Sequence, residues 1–117
     1  MATYQDLEFN EGDDFTYKIT LTDSDGIAID ITGYTFYMTV KKTVSNSDDD
    51  ALFKITVSTI PSPTLGIVNI PIDRTDTLNK TAGIYPYDIK YKDGSSEIKT
   101  IIYGDFKLIQ GVTDLVS

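Results

Sequence analysis

The chain has 117 residues, no cysteine, no histidine and a formal charge of −8 at pH 7. Without cysteine there is no disulfide framework, thiolate metal site or cysteine nucleophile, and without histidine the commonest general base and metal ligand is missing. The acidic balance repels a phosphate backbone, and the ten basic residues lie scattered along the chain, so nucleic acid is not an expected partner.

The length fits one domain over residues 1–117, with 110–117 read as a frayed tail or the start of a linker. Eight tyrosines, five phenylalanines and abundant Thr and Ile favour pleated sheet. Met1 to Asp6 carries no basic stretch ahead of an apolar core, and no run approaches about 18 apolar residues. The expectation is therefore neither a signal peptide nor a membrane partner.

Tyr4 to Phe9 alternates and reads as an edge strand A, followed by a turn at Asn10-Glu11-Gly12-Asp13. Phe15, Tyr17, Ile19 and Leu21 alternate with Thr16, Lys18, Thr20 and Thr22. This is read as a central strand B, whose register is specified because a one-residue slip would expose all four apolar groups. Asp23-Ser24-Asp25-Gly26 is a turn; its glycine comes one residue too early for an EF-hand, and the distal glutamate is missing. Ile27 to Gly33 reads as a short strand ending in a bend. Strand C then places Tyr34, Phe36, Met38 and Val40 inward, with Thr35, Tyr37, Thr39 and Lys41 outward.

The stretch Val44 to Asp50 is an aperiodic acidic loop. Three consecutive carboxylates diverge and have no supporting ligands, so the loop is read as solvated rather than as a cation site. Phe53, Ile55 and Val57 restore the strand period, and Pro61 to Gly66 is a breaker cluster. Val68, Ile70 and Ile72 follow, with Pro71 expected at an edge or where its nitrogen faces away from a neighbouring strand. Asp73 to Leu78 carries capping residues ahead of a helical turn. Asn79-Lys80-Thr81 fits the glycosylation acceptor pattern but reads as turn residues.

Leu78, Gly83, Tyr85 and Tyr87 match the tyrosine corner that opens strand F of immunoglobulin-like sandwiches, with Tyr87 where antibody domains carry cysteine. Tyr85, Tyr87, Ile89 and Tyr91 share the inward parity. A D-G turn at Asp93-Gly94 leads to strand G, Glu97 to Ile109, where Gly104 marks a bulge or a close backbone approach.

These elements predict an all-β, immunoglobulin-like antiparallel β-sandwich of about seven to nine strands. No base stands near a nucleophile at a meaningful spacing and no phosphate-cradling glycine loop occurs, so no catalytic, cofactor or metal residues are assigned and no enzyme is expected. On the outer face of the C, F and G strands, Tyr37, Ile101 and Tyr103 are the large apolar exceptions among polar neighbours, and they are the candidate partner-binding residues. If Gly104 is a bulge, however, the parity of strand G changes and Ile101 turns inward.

The segments Gly12 to Leu21, Asp25 to Phe36, Gly66 to Ile72, Gly83 to Tyr91 and Tyr103 to Leu108 together resemble the immunoglobulin-like N-terminal domain of phage baseplate upper proteins and related small tail and virion domains. The resemblance covers nearly all of the chain and implies a non-enzymatic structural and assembly module, tail or baseplate associated. Such a module is assembled in the host cytoplasm into the virion and contacts other virion proteins or further copies of itself. The alternatives are a carbohydrate-binding or adhesion module, or a head-associated decoration or fibre protein. No functional residues carry over, because the family has no catalytic motif to match.

Overall fold

The computed structural model describes residues 3–41, 51–77 and 80–110. The predicted acidic loop, Leu78 of the corner motif and the predicted tail beyond residue 110 lie outside them. Eight strands are defined among the described residues: β1 Thr3–Tyr4, β2 Leu7–Asn10, β3 Phe15–Thr20, β4 Thr35–Lys41, β5 Ala51–Val57, β6 Ile67–Ile72, β7 Gly83–Lys92 and β8 Ile98–Ile109. One helical turn, α1 Arg74–Thr77, precedes β7.

Two sheets form an all-β sandwich. The larger runs β5-β4-β7-β8, with β1 and β2 both on the far side of β8, and the smaller pairs β3 with β6. The predicted strands C, F and G are thus neighbours as β4, β7 and β8. One correction concerns direction: β1 and β2 run parallel to β8, so the larger sheet is mixed rather than purely antiparallel.

Strand alternation builds the core. Phe36, Met38, Val40 and Ile89 from one sheet meet Val68, Ile70 and Ile72 from the other, all at 1% exposure or less. Each such side chain contributes about 1.5–3 kcal/mol of burial. Phe106, Leu108 and Phe9 extend this layer along β8 and β2, and the Phe9 and Phe106 rings stand 4.9 Å apart. Pro71 sits in β6, which among the described residues pairs only with β3, so its missing N–H leaves no ladder gap on a second side.

Two expectations in the first third of the chain are corrected. β3 is not a central strand, and Phe15 at its start is 46% exposed, while Ile19 is buried. Residues 27–33 form no strand but cross between the sheets, tied by Ile29 N–H to the Leu21 carbonyl and Ile31 N–H to the Pro63 carbonyl, both at 3.0 Å. The crossing presses against Gly66, where a Cβ would lie 2.5 Å from the Leu21 oxygen and where φ is +69°. Only glycine fits both demands.

Ahead of β7, the Asp73 carboxylate accepts from the Arg74 N–H and the Thr75 hydroxyl, and the Asp76 carboxylate accepts from the Asp73 N–H. The fully buried Thr77 accepts from the Gly12 N–H at 2.9 Å, joining this turn to the β2–β3 connection.

Candidate interaction surface

The tyrosines of β7 have structural partners. The Tyr85 hydroxyl donates to the Thr81 carbonyl four residues upstream, the bond that defines a tyrosine corner, and its ring lies beside Gly83. The Tyr87 hydroxyl donates to the Gln5 carbonyl, between β1 and β2. Burial raises the Tyr87 phenol far above its ordinary value, because ionisation would place a charge between the sheets.

Gln5 explains Gly104. A Cβ on Gly104 would lie 2.3 Å from the Gln5 oxygen, so the glycine admits a close backbone approach and β8 continues through it. The irregularity in β8 lies three residues earlier. Ile89 opposes Ile102 while Lys90 opposes Thr100, leaving Ile101 as the extra residue of a bulge. Both Ile101 and Ile102 therefore pack against the core, which strict alternation forbids.

This bulge sorts the three candidate partner-binding residues. Tyr37 and Tyr103 stand on the outer face of the larger sheet, whereas Ile101 is drawn toward the core. On the outer face Tyr37 opposes Lys90, Thr39 opposes both Lys54 and Asp88, and Asp88 opposes Tyr103. These side chains surround an open groove of about 540 Å³. Tyr37, Pro86, Tyr103 and Ile98, the last 60% exposed, are among its apolar lining residues.

The walls are basic. Among the described residues, Lys41, Lys54, Lys90 and Lys92 line the groove, with Asp88 as the only acidic lining residue. The scatter of basic residues along the sequence thus does not survive folding, since four of the chain's ten Lys and Arg meet on one face. The Lys54 ammonium lies 5.6 Å from the centre of the Tyr37 ring. Lys90 donates to the Thr100 hydroxyl at 2.9 Å and stands 3.8 Å from the Asp88 carboxylate. On the β1 side, Tyr4 packs edge-on against Tyr103 with ring centres 5.4 Å apart, and hydrogen bonding to the Asp6 carboxylate raises the Tyr4 phenol.

Sequence reasoning missed Lys54, Lys92, Ile98 and Tyr4 as members of this face. Lys54 and Lys92 had a parity that could be read within their own strands, whereas Ile98 is turned outward by the bulge at Ile101, and only strand pairing brings residues 37, 54, 92 and 103 together.

Among the described residues, no three His, Cys, Asp or Glu side chains converge as a metal cluster, and no helix is long and apolar enough to cross a membrane. No protein-family model matches the sequence, and no curated protein is significantly similar to it.

Proposed function

We propose that this domain is a non-enzymatic structural and assembly module of a phage virion, tail or baseplate associated, acting through protein–protein contacts on the outer face of its larger sheet. The observation that carries the reading is the groove itself. A solvated sheet face is ordinarily polar, and here aromatic and aliphatic surface lies inside a lysine wall, the apolar-centre, polar-rim arrangement of protein interfaces. The framework segments that resemble virion domains supply the biological setting. The groove also bears on the carbohydrate alternative: Lys54 covers one face of the Tyr37 ring, which leaves less open ring for a sugar to stack on.

The test is incorporation. Particles purified from the source host should contain the chain by mass spectrometry, and Tyr37→Ser with Tyr103→Ser should deplete it from particles while the isolated domain stays folded. Absence of the wild-type chain from purified particles would sink the proposal, and glycan-array binding without particle association would favour the sugar reading.

A further inference from the structure

The lysine groove has its electrostatic complement elsewhere on the same chain. Among the described residues, four lysines against one aspartate line the groove, a formal charge of +3 within a molecule of −8. Part of the negative charge is gathered at the seam formed by β2, its connection to β3 and the first residue of β3. A second hollow of about 310 Å³ opens there, lined by Asp6, Glu8, Asp13 and Asp14 together with Phe9 and Phe15.

Phe15 is the unusual member of this seam. It is 46% exposed, although it begins a strand whose other inward residues, Tyr17 and Ile19, are half-buried and buried, and its ring is held edge-on to Phe9 at 4.7 Å. The seam therefore presents an aromatic side chain, fixed by a neighbouring ring and flanked by carboxylates. The groove presents tyrosine rings and aliphatic surface flanked by ammonium groups.

We infer that the occupant of the groove is a second copy of this chain, docked through its acidic β2–β3 seam with Phe15 against Tyr37 and Tyr103. The match rests on both charge and apolar character, and it combines a polar rim with a small aromatic centre. Because groove and seam are different surfaces, the contact is head-to-tail. Each added copy leaves one groove and one seam open, so the product is a ring or a filament rather than a closed two-fold dimer. The overall charge of −8 repels copies at long range, so association depends on contacts within a Debye length, about 8 Å at physiological salt. This choice of partner deepens the assembly reading and rests on it, but it fails separately: a chain found in particles that never self-associates overturns only the inference.

The experiment uses the full chain and a charge exchange. One variant reverses the groove, Lys54→Glu with Lys92→Glu; the other reverses the seam, Glu8→Lys with Asp13→Lys. Asp6 and Asp14 are left alone because they bond the Asp105 and Arg74 backbone amides. Sedimentation of the wild type should show concentration-dependent association that weakens in high salt. Each variant alone should associate roughly tenfold more weakly, the scale of two exposed charge pairs. Mixed in equal amounts, the two variants should recover association, because each reversed groove then meets a reversed seam. If either variant fails to melt cooperatively, the neutral pairs Lys54→Gln with Lys92→Gln and Glu8→Gln with Asp13→Gln replace it and must weaken association in the same direction. A wild type that stays monomeric, a seam variant that associates normally, or a mixture that recovers nothing overturns the assignment.

Discussion

At the scale of single residues, the domain is held at two places where side chain and backbone must agree, and both involve Gln5. Gly104 leaves room for the Gln5 peptide, and the Tyr87 hydroxyl satisfies its carbonyl. Gly104→Ala forces a methyl into backbone and should cost about 1–3 kcal/mol or more. Gly94 has nothing within 4 Å of its Cβ position, and Gly94→Ala should stay within about 0.5 kcal/mol. Urea midpoints compare the two, and equal shifts would show that the Gln5 approach does not require glycine. Tyr87→Phe strands a part-buried carbonyl and should cost about 1–3 kcal/mol, whereas Tyr85→Phe, which frees a more exposed one, should cost about 1 kcal/mol or less. Reversal of that order in denaturant titrations would mean that the corner bond, not the Gln5 bond, is the stronger tie.

At the scale of elements, the bulge in β8 decides which side chains reach a partner. The extra residue at Ile101 lets two consecutive isoleucines face the core and restores the outward parity of Tyr103. Ile101→Ser should therefore destabilise the domain by about 1–2 kcal/mol, the scale of losing a partly buried aliphatic side chain. Tyr103→Ser, at a position 45% exposed, should change stability by less than about 1 kcal/mol and act on assembly instead. Thermal melts of the two variants separate these roles. A larger stability loss for Tyr103→Ser would return Ile101 to the surface.

At the scale of the molecule, charge and ionisation are unevenly distributed. The Tyr87 phenol is neutral in the sandwich and is held above its unfolded value by burial. Its contribution to stability is therefore complete below the unfolded tyrosine value, about pH 10, and is lost as pH rises beyond it, because the unfolded chain ionises first. Half-buried Tyr17 is shifted in the same direction for the same reason. Stability should fall above about pH 10, and Tyr87→Phe, which removes the ionisable group, should flatten that alkaline limb. Denaturation followed from pH 8 to 11.5 checks the slope; parallel limbs for wild type and variant would assign the alkaline loss to other groups.

Period-two alternation determined the parity of the core in β4, β6 and β7, since Phe36, Met38, Val40, Val68, Ile70, Ile72 and Ile89 are apolar at every second position and buried in the structure. The corner motif marked Tyr85 because its bond closes over only four residues, so the signal is local. Tertiary pairing decided what depends on distant partners. Tyr87 finds Gln5 across 82 positions, and Gly104 is shaped by that same peptide rather than by a bulge of its own. The position of the bulge follows from how β7 and β8 align along their whole length, and no residue type in Thr100-Ile101-Ile102 announces it. The basic groove is likewise a product of strand order: Lys41, Lys54, Lys90 and Lys92 come from three strands that only sheet pairing makes neighbours. Charge spacing along a chain carries information about a face only within one element, because between elements the neighbours are chosen by the fold.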